Sequence, residues 1–214
     1  MSLISRKTIF LKAQDSSWYA EFLMPVVNSI MNITTARKVL DIGTGPGKLP
    51  ELLSQNQQLK IIGVDINPAM IEEANKRVRS DNVIFQLQNK NESLRFEEEE
   101  FDVITFCSVL FLLNNNTRAF LMNEALRVLK SGGKIIVLTP SGEKSSSSAV
   151  KDVRSFHLSV NNYTFLIWYV LTTYRSSSWR NEKWLSHFAE KNGLKYNSTL
   201  VFKNYASMEI ITKN

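Results

Sequence analysis

The stretch Val39-Leu-Asp-Ile-Gly-Thr-Gly-Pro-Gly47 decides the fold, because it joins a short apolar strand to a loop with three glycines. We predict a strand from Lys38 to Ile42 and a tight turn at its carboxyl end. Glycine lets the backbone turn sharply and approach a ligand without interference from a Cβ atom. Open α/β sheets bind ligands at the carboxyl ends of their strands, so the sequence predicts a binding site in this loop.

Strand and helix patterns alternate on the C-terminal side of the loop. Apolar runs predict strands at residues 60–65, 83–87, 102–106 and 134–138, and periodic or capped segments predict helices at about 48–55, 69–79 and 116–129. Strands that are apolar throughout are typical of a parallel sheet with helices on both faces. The sequence up to residue 140 therefore predicts an α/β fold.

The pattern changes after the fifth predicted strand. Residues 141–149 are rich in serine and are predicted to form a mobile loop, whereas residues 153–174 are aromatic with few charges. A helix is predicted over residues 179–192. Strands at 195–202 and 206–212 follow, and a link of three residues forces them to be antiparallel.

Length and composition indicate a single globular domain. The chain has 214 residues, of which 43% are hydrophobic and 21% are charged. A domain of this size buries roughly 70% of the surface that its unfolded chain exposes. We divide it into an N-terminal helical cover (1–35), a cofactor-binding core (36–140), an insertion or lid (141–179), and a C-terminal helix and hairpin (180–214).

The net charge of +6 is concentrated near the C-terminus, where residues 141–214 carry ten basic and five acidic groups. These cations are scattered singly along the sequence. We therefore interpret them as a solvated basic face, and nucleic acid is a disfavoured partner.

Several features predict a cytoplasmic location. Cys107 is the sole cysteine, which excludes an intrachain disulfide and a cysteine-based metal cage, and no metal site is predicted. Residues 1–14 lack the continuous apolar core of a signal peptide. Polar side chains distributed through residues 155–174 argue against a membrane span.

Asp41 gives the first indication of the ligand's charge. A dinucleotide-binding loop has the pattern Gly-x-Gly-x-x-Gly, but here Gly47 comes one residue early. The Asp41 carboxylate, two residues before Gly43, would repel a pyrophosphate. It can attract an ammonium or sulfonium group directly or through water.

The ordered set of motifs resembles the class I S-adenosylmethionine-dependent methyltransferases. Val39–Gly47 is similar to the family's first motif, and Val64–Met70 is similar to its second signature. Later landmarks of the family resemble Glu92–Phe96, Phe101–Ile104 and Ala125–Lys134. The resemblance covers about residues 36–140.

This resemblance implies an enzyme with a Rossmann-like, doubly wound sheet. The expected strand order is 3-2-1-4-5-7-6, a mainly parallel seven-stranded sheet with an antiparallel strand in its C-terminal hairpin. The implied reaction moves a methyl group from S-adenosylmethionine to an acceptor and leaves S-adenosylhomocysteine.

The same resemblance assigns roles around the cofactor. The loop from Gly43 to Gly47 lies along the methionine part, with a packing role as the alternative for Gly47, and Asp65 holds both ribose hydroxyls. Ile66 and Met70 pack near adenine, and Ser108 forms part of the pocket floor. The full set of predicted cofactor-binding residues is Asp41, Gly43, Thr44, Gly45, Gly47, Asp65, Ile66, Met70, Asn89 and Ser108.

One position departs from the family pattern. Relatives usually carry Gly-Asp after the third strand, and the acid caps the adenine amino group, whereas this chain has Leu87-Gln-Asn-Lys-Asn-Glu92. Asn89 can accept a hydrogen bond through its side-chain oxygen, and Lys90 cannot. We place Asn89 in this role, with a solvent-facing turn as the alternative. We expect weaker adenine recognition, because a neutral acceptor makes a weaker bond than a carboxylate.

No catalytic residue is assigned from the sequence. The sulfonium already makes the methyl group electrophilic, so the protein must mainly hold the acceptor in line and exclude water. His157 is a candidate base, but a surface or packed histidine is the preferred interpretation. Residues 155–174 are predicted to form a lid or wall for a small apolar or aromatic acceptor, or else a buried helix. Trp18 and Tyr19 either close over the cofactor or pack an early helix.

Two other functions are left open. An RNA-modifying methyltransferase is favoured by the net basicity and opposed by the lack of an attached RNA-binding domain. A cofactor-binding protein without turnover is the second alternative. Phe106–Phe111 lacks the Asn/Asp-Pro-Pro-aromatic motif typical of enzymes that methylate exocyclic amines of bases. The acceptor atom and the oligomeric state are not predicted.

Overall fold

The computed structural model describes residues 6–143 and 160–214. The seven strands of this part are β1 Lys38–Ile42, β2 Lys60–Asp65, β3 Val83–Leu87, β4 Phe101–Cys107, β5 Leu129–Pro140, β6 Lys195–Val201 and β7 Ala206–Thr212. Its α-helices are α1 Arg6–Gln14, α2 Ser17–Met31, α3 Lys48–Leu53, α4 Pro68–Arg77, α5 Asn115–Val128, α6 Val160–Glu182 and α7 Trp184–Lys191. A short 3₁₀ helix at Leu110–Leu112 follows β4.

The seven strands form one sheet in the order β3-β2-β1-β4-β5-β7-β6. β1 pairs in parallel with β2 and β4, and β7 pairs antiparallel with both β5 and β6. The strand order and the antiparallel hairpin predicted from the sequence are confirmed. This order places the carboxyl ends of β1 and β4 side by side. The direction in which successive strands are added to the sheet reverses between these two strands.

Helices cover both faces of the sheet, and the strands β1, β2, β4 and β5 each contribute to both cores. On β1, Val39 packs in one core with the aromatic residues of α2, whereas Leu40 packs in the other with α5. Both side chains are fully buried. The alternation explains why the strands are apolar throughout, and it confirms the doubly covered architecture.

α6 differs from the sequence prediction. A helix was expected to begin at Trp179, but α6 runs without interruption from Val160 to Glu182. The Ser176 hydroxyl donates back to the carbonyl of Thr172, so the serines near its end continue the helix. Lys183, at φ 47°, separates α6 from α7. Residues 144–159, which contain most of the predicted serine-rich loop and His157, lie outside the described residues.

Arg118 fixes the C-terminal end of α6. Its guanidinium donates to the Glu182 carboxylate at 2.7 Å and to the Leu110 carbonyl at 2.9 Å, and its Cζ atom lies 4.9 Å from the centre of a Trp179 ring. One buried cation therefore ties α5, the 3₁₀ helix and α6 together. The opposite half of α6 packs against α1 and α2, so the helix spans the sheet edge where the strands β1 and β4 end.

Candidate active site

A cavity of about 390 Å³ lies at the carboxyl ends of β1, β2 and β4. Nine of the ten predicted cofactor-binding residues line it: Asp41, Gly43, Thr44, Gly45, Asp65, Ile66, Met70, Asn89 and Ser108. The topology brings them together because parallel strands end at the same edge of the sheet. Gly47 is the exception.

The glycine loop turns back on β2 through its backbone. The amides of Gly43 and Thr44 both donate to the Val64 carbonyl, at 2.8 and 3.0 Å. Gly43 has φ 73°, and a Cβ atom there would lie 2.5 Å from a methyl carbon of Val109. The loop therefore requires glycine at residue 43 for both its conformation and its packing.

Gly47 has a structural role instead of lining the cavity. It has φ 81°, and a Cβ atom there would lie 2.8 Å from the Phe85 ring and 3.1 Å from the Ala74 side chain. Gly47 also precedes the first residue of α3. This packing sets the loop against β3 and α4, and a contact of Gly47 with the cofactor stays a prediction.

Asp65, at the end of β2, is held in place by two backbone amides. One carboxylate oxygen accepts from the Gly45 amide and the other from the Asn67 amide, each at 2.9 Å. Burial raises the pKa of this carboxyl above its usual range, and these hydrogen bonds oppose the shift. Each carboxylate oxygen keeps a further lone pair, so the group can also accept from ligand hydroxyls.

Asp41 is a buried carboxylate on the floor of the cavity. It is only 2% exposed, and it accepts a hydrogen bond of 2.6 Å from the Thr105 hydroxyl. Burial raises its pKa to about 6, although the Thr105 hydrogen bond works in the opposite direction. A cationic ligand group nearby would favour the ionised form of this side chain.

The loop after β3 is organised by Gln88. Its buried amide donates to the carbonyls of Asn89, Glu92 and Ser93 at 3.1–3.3 Å. Asn89 in turn donates to the Glu92 carboxylate at 2.8 Å, and both residues line the cavity. The family pattern places an acid directly after β3. In this chain Glu92, further along the loop, brings a carboxylate to the part of the cavity wall that Asn89 also lines. Sequence reasoning missed it because the intervening loop has no regular structure.

The N-terminal helices and α6 form the opposite wall. The Phe10 ring lies 3.4 Å from the position that a Cβ atom on Gly45 would take. Tyr19 and Trp168 also line the cavity, with their ring centres 5.6 Å apart. Trp18 instead packs in the core, with ring centres 5.8 Å from Phe165. Of the two aromatic residues that were predicted either to close over the cofactor or to pack an early helix, Tyr19 thus lines the cavity and Trp18 packs in the core.

The thiol and phenol at this wall keep their protons. Burial, followed by the Asp41 carboxylate, raises the pKa of the Cys107 thiol. Burial likewise raises the pKa of the Tyr19 hydroxyl, with further contributions from Cys107 and Asp41. A nucleophilic role for Cys107 is therefore disfavoured, in agreement with the sequence interpretation.

Two features of residues 6–143 and 160–214 bear on metal binding and on a membrane span. No group of three or more His, Cys, Asp and Glu side chains in these residues is arranged to hold a metal ion. Within the same ranges, no helix combines the length and apolarity needed to cross a membrane.

The sheet order and the glycine loop beside an acidic strand end define a Rossmann-like methyltransferase fold. Residues 39–133 match the family described as a methyltransferase domain. A solved structure of a candidate S-adenosyl-L-methionine-dependent methyltransferase from Methanococcus maripaludis superposes with a TM-score of 0.72 at 21% identity, over 100% of this chain and 95% of that one. The structural match confirms the fold.

Two curated relatives are similar in sequence. A demethylmenaquinone methyltransferase of Tropheryma whipplei (strain Twist) is 33% identical over 111 residues, which cover 50% of this chain and 44% of that protein. A ubiquinone/menaquinone biosynthesis C-methyltransferase of Vibrio campbellii is 33% identical over 128 residues, which cover 57% and 49% respectively. The chain spans about half the length of the curated relatives it matches.

Residues 39–133 are therefore similar in sequence to a methyltransferase domain, and the fold of the chain is the Rossmann-like fold of the methyltransferase structure that it matches.

Proposed function

We propose that the chain transfers the methyl group of S-adenosylmethionine to a small apolar or aromatic acceptor. The observation that carries this proposal is the Asp65 carboxylate, which the Gly45 amide fixes at 2.9 Å beside the glycine loop on the cavity wall. The names of the curated relatives include quinone-pathway substrates, which supports a small aromatic acceptor and does not favour RNA.

The residues of the cavity fit this cofactor. Asp65 would accept from both ribose hydroxyls, and the methionine part would lie along the backbone of Gly43 and Gly45, which line the cavity. Asp41 would stabilise a nearby cationic group of the cofactor. The adenine ring would pack between Ile66 and Met70.

Asn89 and Glu92 would complete the adenine end of the site. The Asn89 side-chain nitrogen is already bound to Glu92, which leaves the amide oxygen of Asn89 available to accept from an adenine amino group. Lys90 also lines the cavity, but it cannot accept a hydrogen bond.

The acceptor would lie between the cofactor and the wall formed by Phe10, Tyr19 and Trp168. The cofactor supplies an electrophilic methyl group. The protein has to hold the acceptor in line with that carbon and exclude water. The protonated Tyr19 and Cys107 side chains make this wall uncharged, which favours an apolar or aromatic acceptor. Closure of residues 155–174 as a lid over the acceptor stays a prediction. A cytoplasmic location also stays a prediction.

A methyl-transfer screen tests the proposal directly. The protein is incubated with methyl-labelled S-adenosylmethionine and panels of phenols, hydroquinones, aromatic amines, aliphatic acids and short RNAs. We expect label in one of the aromatic panels, with S-adenosylhomocysteine formed in equal amount. An Asp65→Ala variant serves as the matched control. Transfer to RNA alone, or cofactor binding without transfer to any panel, would select one of the two alternative functions.

A further inference from the structure

Gln14, the last residue of α1, places a polar side chain over the glycine loop. It lines the cavity and is only 2% exposed. Its side-chain nitrogen lies 3.9 Å from the position that a Cβ atom on Gly45 would take. Gln14 therefore lies beside the loop that would carry the methionine part of the cofactor. The sequence motifs gave no indication of this.

The two ends of the Gln14 amide have different environments. A side-chain hydrogen bond joins Gln14 to the Tyr19 hydroxyl and opposes the rise in the pKa of that phenol. The carbonyl oxygen, Oε1, is buried and has no hydrogen-bond partner among the described residues. An unpaired buried acceptor destabilises the protein, and a donor on a bound ligand would recover that energy.

The surroundings of Gln14 restrict the kind of donor. The Phe10 and Trp168 rings line the same cavity and fit a flat, apolar body. The Tyr19 hydroxyl beside Gln14 is neutral, so the wall offers hydrogen bonds without a formal charge. The matching ligand is an uncharged aromatic ring that carries a hydroxyl group.

We propose that Gln14 is a specificity-determining residue that selects neutral phenols as methyl acceptors, by accepting a hydrogen bond from the ring hydroxyl at Oε1. This inference rests on the proposed function, because it concerns the acceptor side of the same cavity. It assigns a substrate class and a recognition contact, and it does not require Gln14 to move a proton.

Binding of two matched probes tests the inference. The affinities of 1-naphthol and 1-methylnaphthalene, which differ in one hydroxyl against one methyl group, are measured by ligand-observed NMR on the protein saturated with S-adenosylhomocysteine. We expect 1-naphthol to bind about tenfold more tightly, since pairing the buried carbonyl recovers an energy that corresponds to about one decade in affinity. In Gln14→Met, which keeps the side-chain length, the two affinities should agree to within about threefold.

Two further variants keep the result interpretable. Phe10→Leu, on the same helix, should weaken both probes and leave their ratio unchanged. Tyr19→Phe should reduce the ratio partly, because the Gln14 amide loses the partner that orients it. A hydroxyl preference that survives in folded Gln14→Met, or failure of both probes to bind the wild-type protein, would overturn the inference. Failure of S-adenosylhomocysteine to bind would instead overturn the proposed function, and the probe ratio would then be measured on the protein alone.

Discussion

The Asp65 carboxylate accepts a 2.9 Å hydrogen bond from the Gly45 amide, twenty residues earlier in the chain. This bond joins the end of β2 to the glycine loop that follows β1. The same carboxylate is bound by the Asn67 amide, so its position is fixed before any ligand arrives. Ligand binding at Asp65 therefore requires little ordering of the side chain.

Asp65→Ala should weaken binding of S-adenosylhomocysteine by about tenfold or more. Two ribose hydroxyls would donate to this carboxylate, and each such bond to a charged group is typically worth about 1.5–3 kcal/mol, whereas about 1.4 kcal/mol is one decade in affinity. Isothermal titration calorimetry measures the effect, with thermal unfolding as the check on folding. Unchanged affinity in a folded variant would remove Asp65 from the binding site.

Gly47→Ala should destabilise the fold while leaving cofactor affinity nearly intact. The left-handed backbone costs about 1–2 kcal/mol for alanine, and the new methyl group would lie 2.8 Å from the Phe85 ring. Gly132→Ala is the matched control, because Gly132 has φ 75° but a Cβ atom there meets nothing within 4 Å. Chemical denaturation should show a larger loss of unfolding free energy for Gly47→Ala. An equal loss in both variants would contradict this prediction, because it would mean that the Phe85 ring shifts and accommodates the added methyl group.

The strand order could be predicted from the sequence, and nine of the ten residues predicted to bind the cofactor line the cavity, because these features depend on local signals. A glycine loop after an apolar strand, and an acid at the end of the next strand, need no knowledge of tertiary packing. Local signals could not decide between a cofactor contact and a packing role for Gly47. Its neighbours Phe85 and Ala74 come from later elements, and only the folded chain brings them to it.

The contribution of α1 to the wall proposed for the acceptor could not be predicted either. Phe10 and Gln14 belong to α1, whose position depends on packing against α6, more than a hundred residues further along the chain. The extent of α6 was also misjudged, because serines are poor helix formers in isolation. In the folded protein, the Ser176 hydroxyl is satisfied by the Thr172 carbonyl, and the Arg118–Glu182 ion pair holds the end of the helix.

Asp41 should make the stability of the protein depend on pH in an unusual direction. Its pKa is about 6 in the folded protein, against an ordinary value of 3.8. Between these values the folded state binds more protons than the unfolded state, so this group's contribution to the unfolding free energy falls as the pH rises from about 4 to 6. Asp41→Asn should remove that slope and raise stability at pH 7. Urea denaturation at several pH values measures both effects.

The same carboxylate should also affect ligand binding. Protonation of Asp41 below pH 6 removes a negative charge from the cavity floor, so affinity for the cationic S-adenosylmethionine should fall as the pH is lowered through this range. Asp41→Asn should bind the cofactor more weakly at pH 7 and show a flatter profile from pH 5 to 7. A wild-type affinity that stays constant over this interval would show that Asp41 does not interact with the bound cation.

Asn89 and Glu92 should contribute unequally to adenine recognition. The Asn89 amide oxygen is free to accept from the adenine amino group, while its nitrogen is engaged by Glu92 at 2.8 Å. Asn89→Ala should weaken S-adenosylhomocysteine binding by about five- to tenfold, as expected for one neutral hydrogen bond of about 1 kcal/mol together with loss of the loop contact. Glu92→Gln keeps an acceptor beside Asn89 and should cost about threefold or less. Titration of both variants with S-adenosylhomocysteine and with free homocysteine, which lacks the adenine ring, separates the adenine end of the site from the methionine end. If Glu92→Gln proves the more damaging change, the carboxylate of Glu92 replaces Asn89 as the group that binds the adenine amino group.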